Sequence, residues 1–247
     1  MYPVLLRIGS VELTSFGAMV ALAALAGVWL FRREVRRAGL SENAVDAAVA
    51  GVIGGLLGAK LLWVAEHLHE EPFAQLLVSR GGLSWFGGLI GGIGAGLTVI
   101  LMRRLPVVPV LSAATPALAI GHAIGRIGCF LVGDDYGRPS SLPWAVAFPK
   151  GLPPTDVPVH PTQLYEAALL LPIAWLLFRW RRRRADDAFV LGCYLVLTSA
   201  LRFVIEFIRV NERVALGLTV AQWASIGLAV AGACLLRMRR SPRAHPS

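Results

Sequence analysis

Seven long apolar runs alternate with short polar clusters along this chain, at roughly 13–31, 44–65, 84–102, 107–131, 163–178, 188–208 and 216–236. A helix needs about 20 mostly apolar residues to cross the hydrocarbon core of a bilayer. The alternation therefore predicts an all-α, polytopic integral membrane protein with seven transmembrane helices. The fifth run is short and ends at Arg179. Between the fourth and fifth runs, 132–162 is proline-rich and poor in helix formers, which predicts an irregular loop holding a short hairpin. In 66–80, Glu66, Glu70 and Glu71 accompany Phe73 and Leu76, the makings of a short helix on the membrane interface. Residues 1–236 then form one membrane domain with 132–162 as its outward loop, and 237–247 form a basic cytoplasmic tail.

Composition agrees with lipid as the solvent. Of the 247 residues, 56% are hydrophobic, where soluble domains hold about 45–50%. The net charge of +9 would suggest nucleic acid in a soluble chain, but here the basic residues sit between apolar runs as topology signals. No nucleic-acid partner is expected. The clusters Arg32–Arg37, Arg103–Arg104, Arg179–Arg184 and Arg237–Arg243 hold 15 of the 24 basic residues, and the alternate loops hold six. Cytoplasmic loops are the Lys/Arg-rich ones, so the N-terminus is expected outside and the C-terminus inside. The first run is not read as a signal peptide, because its charge cluster follows the apolar stretch. The three cysteines have neither a disulfide framework nor a zinc spacing, and no metal or organic cofactor is expected.

Three basic residues lie inside the runs: Lys60, Arg126 and Arg202. An arginine in a span is costly unless an anion compensates it. Arg126 is read as a phosphate or carboxylate binder, since its planar fork grips two oxygens; the alternative is a structural ion pair with Glu206 or Asp134. Arg202, Glu206 and Arg209 follow at helical spacing and predict a polar stripe on one face. One acid between two arginines would leave spare positive charge for an anionic substrate. His122 stands four residues before Arg126 on the same face. Lys60 is read as snorkelling or pairing with Glu66 or a lipid phosphate. His160, Gln163 and Glu166 recur at helical spacing around Tyr165, an interface anchor. Half of residues 81–96 are glycine, and Gly88, Gly92 and Gly96 repeat every fourth residue, as do Gly87 and Gly91. Gly51, Gly54, Gly55 and Gly58 repeat similarly, predicting close helix contact or, around Gly81–Gly88, approach of backbone to a lipid headgroup.

Four blocks resemble the prolipoprotein diacylglyceryl transferase family, in family order over about residues 9–230. They are Gly82-Leu-Ser-Trp-Phe-Gly-Gly-Leu-Ile-Gly91; Gly125-Arg-Ile-Gly-Cys-Phe130 with Gly133-Asp-Asp-Tyr-Gly-Arg138; His160-Pro-Thr-Gln-Leu-Tyr-Glu166; and Arg202-Phe-Val-Ile-Glu-Phe-Ile-Arg209. The resemblance implies an enzyme of the bacterial inner membrane that moves diacylglycerol from phosphatidylglycerol to the lipobox cysteine of a lipoprotein precursor, releasing glycerol phosphate. It implies that Arg126 binds the headgroup, with Gly87, Gly88, His160, Tyr165 and Arg209 as further substrate contacts. Arg202 is then essential, beside Glu206, and His122, His160, Asp134 and Glu206 are candidates for the base. Phe86, Cys129, Asp134, Thr14, Phe16 and Thr198 stand where the family usually has His, Asn, Glu, His, Tyr and Tyr. Alternative readings are a transferase of this fold with another acceptor, or a catalytically silent lipid-binding membrane protein.

Overall fold

The computed structural model describes residues 4–8, 11–78 and 82–237. The strands β1 (Val4–Ile8) and β2 (Val11–Thr14) form a hairpin ahead of α1 (Ser15–Arg37), α2 (Ala44–His67), the short α3 (Phe73–Val78) and α4 (Trp85–Met102). There follow α5 (Val107–Val132), a second hairpin of β3 (Val146–Phe148) and β4 (Thr155–Val159), α6 (Thr162–Arg182) and α7 (Asp187–Ile205). A 3-10 turn (Glu206–Ile208), a small hairpin of β5 (Arg213–Ala215) and β6 (Leu218–Thr219), and α8 (Val220–Arg237) complete the described chain.

Each apolar run became a helix. Five of these, α1, α2, α5, α7 with its 3-10 extension, and α8, are long and apolar enough to cross a membrane, and α4 is a shorter apolar helix. Leu25, Trp29, Ile90, Leu101 and Met102 stand exposed on helix surfaces. An outer surface this greasy belongs in lipid, where it carries no cost, and not in water. The protein is a multi-pass membrane protein. The hairpin expected in 132–162 is β3–β4, and the short helix expected in 66–80 is α3. The basic tail beyond Arg237, with Arg80 and Gly81, lies outside the described residues.

The described chain forms two compact units, Val28–Leu111 and the remainder. In the first, α2 and α4 meet backbone to backbone along the glycine repeats. A Cβ built on Gly87 would fall 2.2 Å from the Gly58 oxygen, and one on Gly91 2.3 Å from the Gly54 oxygen. Only glycine allows this approach, and van der Waals contact drives it, because apolar burial gains nothing between helices in lipid. At one end Arg103 pairs with Asp46 at 3.0 Å.

In the second unit, α5, α6 and α7 share a core. Ala119 of α5, Ala174 and Leu177 of α6 and Val190 of α7 cluster, and one layer along, Ala123, Ala167 and Leu170 cluster with Leu201 against them. Positions 163, 167, 170, 174 and 177 of α6 form one buried face. Asp186 caps α7 by accepting from the Phe189 amide at 3.0 Å. The small residues bring the three helices close, and the layer beyond Ala123, Ala167 and Leu201 is where their charged residues converge.

Candidate active site

Arg126 lies one turn beyond Ala123 on α5, Glu166 next to Ala167 on α6, and Arg202 next to Leu201 on α7. The two carboxylate oxygens of Glu166 divide between the two arginines. Arg202 Nη1 donates to Oε1 at 2.9 Å, and Arg126 Nε lies 2.5 Å from Oε2. The second contact is an ion pair without hydrogen-bond alignment, for both atoms lack a hydrogen-bond partner among the described residues. Glu166 is buried, and so is Arg126.

The 3-10 turn supplies the next acid. Glu206 Oε2 lies 2.9 Å from Arg202 Nη2 and 3.8 Å from Arg209 Nε. Its Oε1 accepts from the Thr219 hydroxyl at 2.9 Å and from Asn211 at 2.5 Å. Asp135 then bridges two arginines: Arg126 Nη1 donates to Oδ2 at 2.8 Å, and Arg209 Nη2 donates to Oδ1. Three guanidiniums and three carboxylates thus form a closed ring of alternating charges that joins α5, α6 and the exit of α7. Charges this poorly hydrated are stable only when paired.

Two loops hold the outer members. Arg209 is extended and its backbone bridges to Gly137, with the Arg138 amide donating to Ile208 O at 2.9 Å. A Cβ on Gly137 would fall 2.7 Å from Ile208 O, 2.8 Å from Thr162 and 2.9 Å from His160. The 134–135 backbone is pinned to the start of α6: the Thr162 hydroxyl donates to Asp135 O at 2.8 Å, and the Gln163 amide donates to Asp134 O. Burial would raise the Asp135 carboxyl, but the charge and hydrogen bond of Arg209, and then those of Arg126, outweigh it and hold it at about 2. Burial raises the neighbouring Asp134 carboxyl, as does the Asp135 charge.

Several expectations are corrected here. The structural partners of Arg126 are Glu166 and Asp135, not Glu206 or Asp134. Asp134 Oδ1 is buried without a hydrogen-bond partner among the described residues, and the next residue, Asp135, adopts φ 59°. The stripe Arg202–Glu206–Arg209 does not run along one helix face, since α7 ends at Ile205. Nor is positive charge left over locally, because Glu166 and Asp135 balance it. Glu166 and Asp135 were not picked out as site residues; a carboxylate following a charged helix face was visible, its partner 36 or 40 residues away was not.

The remaining predicted residues are dispersed. His122 Nε2 lies 3.8 Å from Glu166 Oε2, with its side chain 42% exposed. His160 Nδ1 and Trp144 Nε1 lie 3.3 Å and 2.7 Å from the Tyr165 hydroxyl, forming a separate polar-aromatic group. Gly87 and Gly88 lie in the α2–α4 seam, where Gly87 has no room for anything beyond the facing backbone. Lys60 stacks over Trp63 at 4.5 Å. Phe86 is on α4, and the Thr198 hydroxyl donates to Tyr194 O at 2.7 Å. Cys129 Sγ is 4.0 Å from Arg126 Nη1. Although no metal-ligand cluster was expected, Cys129, Asp134 and Asp135 each offer a donor atom within 4.8 Å of the others. A cation there would have to displace the two guanidiniums from Asp135, which makes this a poor metal site.

These features define a class: a polytopic membrane protein with three arginines and three carboxylates gathered in one largely buried ion-paired network. A sequence model of the prolipoprotein diacylglyceryl transferases matches residues 3–238. The chain is also 31% identical to a phosphatidylglycerol–prolipoprotein diacylglyceryl transferase of Clostridium tetani, covering 86% of this chain and 87% of that protein. Proteins of the same name from Geobacter sulfurreducens and Bordetella bronchiseptica are 33% and 32% identical, over 84% and 97% of this chain and 82% and 96% of theirs. The chain belongs to the prolipoprotein diacylglyceryl transferase family.

Proposed function

We propose that the protein transfers the diacylglyceryl group of phosphatidylglycerol to the lipobox cysteine of a lipoprotein precursor, at the outer side of the bacterial inner membrane. The observation that carries this reading is the convergence of Arg126, Arg202 and Arg209 within one ion-paired network. Seven helices cross the membrane in this reading, α4 and α6 joining the five long ones, with the N-terminus out and the C-terminus in.

The phosphate of phosphatidylglycerol lies against Arg126, Arg202 and Arg209. The precursor thiol gives its proton to His122, which is partly exposed and steadied by the Glu166 carboxylate. The sulfur attacks the C3 carbon of the diacylglyceryl group, and a carbon–sulfur bond forms as the carbon–oxygen bond to phosphate breaks. The electron pair stays on the phosphate oxygen, and glycerol phosphate leaves. Guanidiniums fixed in a low-dielectric site stabilise that developing charge without reorganising. Glu166 and Glu206 hold the arginines in place, Asp134 lies beside the phosphate position, and His160 and Tyr165, held with Trp144, are further contacts for the substrates in this reading.

A catalytically silent lipid-binding protein is the second reading. It is favoured by Phe86, whose ring has no proton to exchange, and by Thr198, whose hydroxyl is committed to Tyr194. Incubation of the purified protein with phosphatidylglycerol and a lipobox peptide separates the two. The transferase gives peptide with added diacylglycerol mass and an equal amount of glycerol phosphate, and Arg126→Ala and Arg202→Ala abolish both. Lipid binding that depends on Arg126, with no product from a peptide accepted by a family enzyme, overturns the transferase reading. Glycerol phosphate release without peptide modification indicates another acceptor.

A further inference from the structure

Asp135 differs from the other acids of the network. Its side chain is 43% exposed, whereas those of Glu166 and Glu206 are 2% and 0% exposed. It uses one oxygen for each of two arginines on separate elements, Arg126 on α5 and Arg209 beyond α7. A tetrahedral phosphate offers the same pair of oxygens to the same two guanidiniums. The Asp135 backbone is fixed by the Thr162 hydroxyl, so its carboxylate can swing away by side-chain rotation while the loop stays in place. Glu166 and Glu206 have no such freedom, because they are enclosed and hold Arg202 from both sides.

Resting on the phosphate-site reading above, we infer that Asp135 is a built-in stand-in for the substrate phosphate: its carboxylate occupies the gap between Arg126 and Arg209 in the empty enzyme and is displaced by the phosphate of the incoming lipid. Without it, Arg126 and Arg209 would each keep one acid, Glu166 and Glu206, but the Nη groups they turn toward Asp135 would lose their shared acceptor at a site poorly reached by water. With it, they stay aligned, and the substrate replaces one bridging anion by another, a phosphodiester that also carries one negative charge and presents two free oxygens. Asp135 then sets the affinity for phosphate: it competes with the ligand.

The test uses the full chain in detergent and sn-glycerol 1-phosphate as the probe. If Asp135 competes, Asp135→Asn binds the probe about tenfold more tightly than wild type. In the wild-type protein, saturating probe raises the labelling of Asp135 by a carbodiimide and an amine, read by peptide mass spectrometry, because the carboxylate is freed. The labelling arm does not depend on the variant folding. Equal or weaker binding by Asp135→Asn, or protection of Asp135 from labelling by the probe, overturns the inference while leaving the phosphate site standing. Absence of probe binding by both proteins overturns the phosphate site and the inference together.

Discussion

Glu166 Oε2 and Arg126 Nε lie 2.5 Å apart, in a contact that joins α5 to α6 at the level of the site. Both side chains are almost wholly enclosed, so neither charge has water to fall back on. Removing one partner of such a pair costs about 3–5 kcal/mol, because the other charge is left buried and bare. Glu166→Ala is therefore expected to lower stability by an amount on that order, measured by denaturant or thermal unfolding in detergent. Glu166→Gln keeps the volume and one acceptor, and is expected to retain more stability while losing transferase activity, read as glycerol phosphate release.

Arg126 faces Glu166 and Asp135 with different nitrogens of one planar group. A lysine carries the charge but cannot offer two nitrogens in a fixed plane. Arg126→Lys should thus fold and still lose activity by about 100-fold or more, the scale seen when one preorganised donor to a developing anion is removed. Activity within a factor of two of wild type would show that charge alone suffices at this position.

The α2–α4 seam yields a paired prediction. Gly87→Ala would place a Cβ 2.2 Å from the Gly58 oxygen, and a helix backbone cannot give way by that much. A destabilisation of about 1–3 kcal/mol or more is expected from such overpacking. Gly94→Ala, on the same helix with nothing within 4 Å of the new Cβ, should be neutral or stabilising by up to about 1 kcal/mol. The two thermal unfolding midpoints, measured side by side, check the contrast.

Asp135 gives the acid dependence. Its carboxyl is held down at about 2 by the Arg209 and Arg126 guanidiniums acting against its burial. The stability it contributes is therefore complete above its ordinary value of about 4 and is lost as pH falls through about 2. The difference in unfolding midpoint between wild type and Asp135→Asn should be constant above pH 4 and close over pH 4 to 2. A difference that instead opens on acidification would contradict the pairing.

Gly137→Ala tests the loop that holds Arg209. The new methyl would meet Ile208 O at 2.7 Å and push apart the bridge between Gly137 and Arg209. A rise in KM for phosphatidylglycerol larger than the fall in kcat is expected, since Arg209 would lose its fixed position while Arg126 and Arg202 keep theirs.

The helices were legible in the sequence because lipid demands long apolar runs, and each run became a helix within a few residues of its expected bounds. The glycine repeats were legible for a similar reason: spacing along one helix states which residues share a face. The site was only half legible. Arg126 and Arg202 declared themselves as charges in apolar runs, and spacing gave the Arg202–Glu206 pair, but the acid the two arginines share, Glu166, lies on another helix, and no periodicity connects position 126 with position 166. Between adjacent Asp134 and Asp135, nothing in the sequence says which one meets Arg126 and Arg209; the structure gives that place to Asp135, in the left-handed region at φ 59°. The end of α7 at Ile205 was hidden because Glu206, Phe207 and Ile208 continue the helical pattern.

The contact between Gly58 and Gly87 also bears on how this chain can diverge. Where the facing atom is a backbone oxygen, as at Gly58 and Gly87, there is no side chain that a second change could trim to accommodate a first. Exposed residues of the same helices, such as Leu61 and Ile90, make few contacts within the chain and can be exchanged for other apolar residues. A complete substitution scan of α2 and α4 should therefore divide each helix lengthwise, one edge nearly immutable and the other freely drifting.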